Sequence, residues 1–286
     1  MSLLQAVILG LVQGLTEFIP VSSSGHLVLV PWLFGWANPG LAFDAVLHLG
    51  TLVAVLAVFW RDWLTLAADW FASLRRRSVA TADVTGVGRP VTSQGATAVG
   101  QSAVAWALIV GTIPAVILGL AAEDFFESLF SSPGRVSALL LVTALILWAG
   151  ERWAGAARRL EAIGLPQALL IGLAQGLAIA PGISRSGATM AAGRVAGFSR
   201  EDAARFSFLL ATPVIAGAGG LALLKLVKAG GLQDALPLAV GFLVAAVSGY
   251  LVIRFLLSYL RRHSLLPFAA YCAVAGVLGI VLTLVR

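Results

Sequence analysis

Apolar and polar positions alternate along the chain in long blocks. Apolar runs at 41–60, 102–121, 136–150, 203–224, 236–257 and 267–285 read as helices, several reaching the roughly 20 residues that cross a hydrocarbon core. Two other apolar stretches, 1–36 and about 165–198, are interrupted. Pro20 and the run Ser22, Ser23, Ser24, Gly25 fall where the first would have its middle, and Pro181 and Gly182 break the second. Two half-helices joined by a polar turn fit each stretch better than one span. Non-helical backbone at membrane depth is tolerated only where protein or a wet cavity covers it, so the pattern predicts two re-entrant hairpins. The longest polar stretch, 61–101, holds Arg61, Arg75, Arg76, Arg77 and Arg89 among Gly, Ser and Thr, and part of it reads as a loop. Glu123, Asp124 and Glu127 mark a short acidic connection before 136–150.

The two broken stretches are copies of one another. QGLTEFIPVSSSGH at 13–26 and QGLAIAPGISRSGAT at 175–189 align without a gap when shifted by 162 positions. Leu3, Gln5, Ala6, Gly10, Leu11, Gln13, Gly14, Leu15, Ser22, Ser24 and Gly25 recur as Leu165, Gln167, Ala168, Gly172, Leu173, Gln175, Gly176, Leu177, Ser184, Ser186 and Gly187. The copies differ where chemistry resides: Glu17 corresponds to Ile179, Ser23 to Arg185 and His26 to Ala188. If the two turns meet in space, an acid and an imidazole from one copy join a guanidinium from the other.

Composition turns these runs into a class. Hydrophobic residues make up 59% and charged residues 11% of 286 positions, well below the roughly 25% charged of soluble domains. The chain reads as an all-α polytopic integral membrane protein. It forms a single membrane domain over 1–286, with repeat one at about 1–150 and repeat two at about 151–286. No basic region precedes the first apolar run, and Gln13 and Glu17 interrupt it, so no cleaved signal peptide is expected. The net charge of +6 does not point to nucleic acid, because the arginines sit in loops between spans. Cys272, the single cysteine, excludes an intramolecular disulfide. The Arg-bearing loops at 61–101, 151–164 and 258–264 belong on the cytoplasmic side. If each hairpin returns to its own side, the two repeats run in opposite orientation, each a hairpin plus three transmembrane helices. Opposed repeats with broken helices build a site between their tips.

The polar residues left inside the apolar stretches are the candidate chemistry. Gln13 and Glu17 are four apart and share a helical face. A carboxylate at such a depth costs about 2.5–3.5 kcal/mol on insertion scales and needs a partner or an ion, and Arg185 offers the opposite charge. Ser22, Ser23, Ser24 and Gly25 lead into a half-helix whose free amides and hydroxyls suit an anion, phosphate above all. His26 lies three residues after Ser23 and can serve as base, acid or nucleophile. Arg185 presents a permanently charged, bidentate donor fork for phosphate, with Ser184, Ser186 and Thr189 as additional donors. Asp44 and His48, also four apart, stand on a span that could line the cavity, behind the reacting groups. Arg200, Glu201 and Asp202 read as a solvated helix start. No zinc-type His/Cys cluster, Walker loop or dinucleotide fingerprint is present. These parts suit hydrolysis or transport of a phosphorylated amphiphile.

At these residues the chain resembles the bacterial undecaprenyl-diphosphate phosphatase family of the bacitracin-resistance type. One family signature, (E/Q)xxxE followed by a Pro-Val-Ser-Ser-x-Gly-His turn, reads here as Gln13 to Glu17 and Pro20 to His26. The other, PGxSRSxxT, reads as Pro181 to Thr189, and FDAVLHLGT at 43–51 and FSFLLATP at 206–213 also fit. The resemblance covers essentially the whole chain. It implies an inner-membrane enzyme, homodimeric and dependent on a divalent cation such as Mg2+ or Ca2+. Such an enzyme removes the terminal phosphate of a C55 isoprenyl diphosphate and returns the monophosphate carrier to cell-wall synthesis. The family's functional positions carry over to Gln13, Glu17, Ser23, His26 and Arg185, with Glu17 the metal-binding carboxylate. Many members have Glu where this chain has Gln13, which leaves Glu17 as the only carboxylate of that motif. Ser23 as nucleophile with His26 as its proton acceptor is the expected chemistry, with attack by His26 itself or by activated water as rivals. A lipid-phosphate transporter or flippase built on the same repeats is the competing function.

Overall fold

The computed structural model describes residues 1–80, 93–155, 158–228 and 235–286. Twelve α-helices form among them: α1 (Leu3–Thr16), α2 (Ser23–Phe34), α3 (Leu41–Val58), α4 (Trp60–Ala80), α5 (Ser93–Ala121), α6 (Glu123–Leu129), α7 (Pro133–Arg152), α8 (Leu165–Leu177), α9 (Arg185–Val195), α10 (Arg200–Lys228), α11 (Ala235–Leu260) and α12 (Leu266–Val285). No β-strand occurs among the described residues; one isolated bridge joins Arg158 and Phe198. Among the described residues six helices are long and apolar enough to cross a membrane: α3, α5, α7, α10, α11 and α12. These are the six continuous runs of the sequence pattern. The chain is therefore an all-helical, multi-pass membrane protein.

The broken stretches are each two helices. α1 has 14 residues and α2 has 12. At 1.5 Å per residue they are roughly 21 and 18 Å long, each short of a core about 30 Å thick. α1 ends in a turn through Pro20, and α2 starts at Ser22, whose hydroxyl caps it by accepting from the Gly25 amide at 3.3 Å. α8 ends likewise before Pro181, and α9 starts at Ser184, which accepts from the Gly187 amide at 3.0 Å. The repeated Ser-x-Ser-Gly frame is thus a repeated helix cap.

The repeated glycines also have a local reason. A Cβ at Gly10 would sit 2.7 Å from the Gly241 carbonyl oxygen of α11. A Cβ at Gly172 would sit 2.4 Å from the Gly111 carbonyl oxygen of α5. Each first half-helix lies backbone-to-backbone on a long helix of the other half of the chain, and small residues permit that approach. Between these layers lies a core that includes Phe18, Phe206, Phe208, Leu147 and Ile253.

The polar stretch at 61–101 opens on the 21-residue helix α4, and residues 81–92, between α4 and α5, lie outside the described residues, so the expected loop is not tested there. Leu66 is buried and Trp63 and Trp70 are half-buried against the core. Spacings of three and four residues make this an amphipathic face that its low mean hydropathy concealed. Asp62 of α4 pairs with Arg205 of α10. Asp124 lies on the short helix α6, so the acidic connection is helical. Arg89 and the side chains of Arg76, Arg77, Glu123 and Glu127 lie outside the described residues. Arg200 is not merely solvated. Its Nε and Nη2 donate to Glu151 at 2.8 and 2.7 Å, while Glu201 pairs with Arg261.

Candidate active site

The turns between α1 and α2 and between α8 and α9 meet. The Gly182 amide of the second donates to the Ser22 hydroxyl of the first at 3.1 Å. The Ser186 hydroxyl donates back to the Ile19 carbonyl at 3.4 Å. Ser22 holds a φ of 72°, a conformation seldom adopted by residues other than glycine. Strain of this kind persists where neighbours over-determine the backbone. Here two amides converge on the Ser22 hydroxyl. The second turn is held from behind by Thr143 of α7, which donates to the Gly182 carbonyl at 2.8 Å and accepts from the Ser184 amide at 2.9 Å.

Between the turns lies a cavity of about 340 Å³. One side presents Glu17, Ser22, Ser23, Ser24, Asp44 and His48, and the other Gln175, Ser184, Arg185 and Ser186. The remaining wall is apolar, with Leu27, Ile179, Val214 and Ile215. Ser23 and Arg185 occupy equivalent positions, each the first residue of its second half-helix. The amino-terminal ends of α2 and α9 therefore both face the cavity, where unpaired amides and helix dipoles favour an anion.

Glu17 organises the charges. Arg185 Nη2 pairs with its Oε1, and the Ser23 hydroxyl donates to its Oε2. Gln13 Nε2 also donates to Oε2 at 2.9 Å, as the four-residue spacing predicts. His48 Nε2 stands 3.5 Å from the same oxygen, and His48 Nδ1 donates to the Asp44 carbonyl at 2.7 Å. Glu17 is 4% exposed, so this carboxylate is desolvated yet saturated with donors. Such an arrangement can accept the Ser23 proton while Arg185 remains close to any incoming anion.

Three expected residues sit differently. The His26 ring does not hydrogen-bond Ser23. Its Nδ1 donates to the Ser22 carbonyl and its Nε2 meets the Tyr271 hydroxyl of α12, each at 2.7 Å. The His26 and Tyr271 rings stack at 5.7 Å. Thr189 turns away from the cavity to the Ser207 hydroxyl at 2.6 Å. Gln13 lies behind Glu17 and does not line the cavity. Three residues escaped the sequence reading as individuals: Thr143, Tyr271 and Gln175. Only Gln175 had a signal, its place in the repeat.

Among the described residues no group of three or more His, Cys, Asp or Glu is arranged to hold a metal ion. Asp44 Oδ1 is nevertheless buried without a partner, and Asp44 shares the cavity wall with Glu17. Hard oxygen donors of this kind suit Mg2+ or Ca2+ when substrate phosphates and water complete the shell, as Mg2+ commonly requires.

The family profile described as "Bacitracin resistance protein BacA" matches residues 6–278. An undecaprenyl-diphosphatase of Desulforudis audaxviator is 46% identical over 282 residues, covering 99% of this chain and 98% of that protein. One from Thermomicrobium roseum is 44% identical, covering 100% and 98%, and one from Methanosphaera stadtmanae 41%, covering 100% and 99%. With a match over nearly its whole length and relatives this close, the chain belongs to the bacitracin resistance protein BacA family.

Proposed function

We propose that this protein is an undecaprenyl-diphosphate phosphatase. It hydrolyses the terminal phosphoanhydride of the C55 isoprenyl diphosphate, releasing inorganic phosphate and the lipid monophosphate used again in cell-wall synthesis. The observation that carries the reading is the Ser23–Glu17–Arg185 constellation in a cavity between two helix amino termini. The full-length relatives named for this activity agree with it.

The diphosphate head enters between the turns, and its tail follows the apolar wall toward lipid. Arg185 leaves Glu17 in part and engages the terminal phosphoryl oxygens, joined by the amides and hydroxyls of Ser24 and Ser186 and by the Ser184 hydroxyl. The Ser23 Oγ attacks the terminal phosphorus, its proton passes to Glu17 Oε2, and the bridging P–O bond breaks to release the lipid monophosphate. Once Glu17 has passed that proton to the departing monophosphate, water attacks the phosphoserine and gives Glu17 a proton, the P–Oγ bond breaks, the proton returns to Ser23 Oγ, and inorganic phosphate leaves. Phosphoryl transfer needs chiefly positioning and charge stabilisation, which this arrangement supplies. His26 supports the Ser22 carbonyl and thereby the turn that carries Ser23. A divalent cation, when bound, neutralises charge on the phosphates, and Glu17 and Asp44 would hold it.

The reading extends to the architecture. α1 rests on α11 as its repeat counterpart α8 rests on α5. That exchange supports two inverted repeats, about 1–150 and 151–286, within one membrane domain of re-entrant hairpins. Residence in the cytoplasmic (inner) membrane and assembly as a homodimer complete the reading.

Phosphate release from C55 isoprenyl diphosphate by purified protein in detergent, with and without EDTA and beside Arg185→Ala, tests it. The reading predicts release that EDTA and the substitution both stop. Binding of the lipid without release would move the function to transport of lipid phosphate.

A further inference from the structure

The two copies of the hairpin spend their glutamines differently. Gln13 on α1 gives its Nε2–H to Glu17, four residues on. Gln175 is its counterpart on α8, but four residues on stands Ile179, which accepts nothing. Gln175 is 1% exposed, and neither its Nε2 nor its Oε1 has a hydrogen-bond partner. Buried amides are ordinarily paired, and one left wholly unpaired weakens the fold. Yet Gln175 is no remote core residue: it lines the same cavity as Glu17, Ser184 and Arg185. The second copy has the amide and lacks its internal acceptor.

We propose that Gln175 is a substrate-binding residue. On entry of the diphosphate its amide turns into the cavity and Nε2 donates to a phosphoryl oxygen, while Oε1 takes a water ordered on the same head group. The assignment rests on the proposed diphosphate-lipid site. A neutral donor suits this place, since a second cation beside Arg185 would compete for Glu17.

The test uses full-length protein carrying Gln175→Met, which keeps side-chain length and removes both polar atoms, and Gln175→Glu, which keeps shape and adds charge. Three quantities are read: the thermal unfolding midpoint without ligand, the shift of that midpoint by C55 isoprenyl diphosphate in a Ser23→Ala background, and KM and kcat with Ser23 intact. Gln175→Met is expected to unfold at or above the wild-type midpoint. Its affinity and KM should worsen by about 10- to 100-fold, the range for a lost hydrogen bond to a charged group. Gln175→Glu is expected to bind more weakly still. A Gln175→Met protein with a lowered midpoint and wild-type affinity would make Gln175 structural and overturn the assignment. If Gln175→Met does not fold, wild-type affinity in Gln175→Glu overturns it as well. Wild-type binding without phosphate release would remove the enzymatic reading and leave Gln175 judged by affinity alone. No binding by wild type would overturn both.

Discussion

Removing Glu17 should harm the protein twice, once through folding and once through chemistry, and the two effects can be separated. The Glu17 side chain is 3% exposed and that of Arg185 18%. Deleting one member of a buried ion pair leaves the other charged and uncompensated, which costs about 3–5 kcal/mol. Because Arg185 retains some access to the cavity, the lower end, about 3 kcal/mol, applies to Glu17→Ala. At about 2–4 °C per kcal/mol for a chain somewhat smaller than this, the unfolding midpoint should fall by roughly 10 °C. The double substitution Glu17→Gln with Arg185→Met removes both charges and comes near the original side-chain volumes. Buried ion pairs replaced as a unit are often neutral, so the double variant should recover most of that midpoint while remaining without turnover. The chain carries its own reporter. Cys272 is its single cysteine and is fully buried, so a thiol-reactive dye reads unfolding in detergent. A double variant as unstable as Glu17→Ala would show that the unpaired charge is not the cause, as would a Glu17→Ala protein that melts with wild type.

Other consequences are equally direct. Gly172→Leu should prevent α8 from seating on α5, because its Cβ would meet the Gly111 carbonyl at 2.4 Å; Gly119→Ala, whose Cβ meets only Ile179 Cδ1 at 3.5 Å, should be neutral in the same melting assay. Tyr271→Phe removes the partner of His26 Nε2 and, if that contact steadies the turn, should lower kcat by about tenfold or less with KM little changed, the size of one neutral hydrogen bond. Thr143→Val should cost about 1–3 kcal/mol of stability, because the Gly182 carbonyl and the Ser184 amide both lose their partner. Chelation of divalent cations should stop phosphate release without unfolding the protein, as read by the same thiol dye, since a cation shared with substrate phosphates holds no part of the fold together.

What the sequence made legible follows from period and repetition. Six long apolar runs gave six long apolar helices because the solvent of a membrane helix is itself apolar. The Gln13–Glu17 spacing gave a hydrogen bond because four residues complete about one helical turn. The repeated turns announced two breaks, and differences at Glu17/Ile179 and Ser23/Arg185 showed where the copies diverge. Helix α4 was hidden because its arginines outweighed a narrow apolar face at Trp63, Leu66 and Trp70. The partner of His26 was hidden because Tyr271 lies 245 residues away and belongs to no motif. Proximity in sequence suggested that His26 faces Ser23. In the structure the helix start turns the imidazole back to the Ser22 carbonyl and leaves Glu17 to receive the hydroxyl. That Gln175 is unpaired depends on packing around α8, which no local pattern encodes.

On the proposed mechanism Ser23 takes the phosphoryl group under the charge of Arg185 and with Glu17 as proton acceptor. Rapid quenching of purified protein with C55 isoprenyl diphosphate labelled in the terminal phosphate, followed by peptide mapping, tests it most directly. The expected result is label on Ser23, none in Ser23→Ala, and release of unlabelled lipid monophosphate in step with labelling. Label on His26, or full turnover by Ser23→Ala, would contradict it.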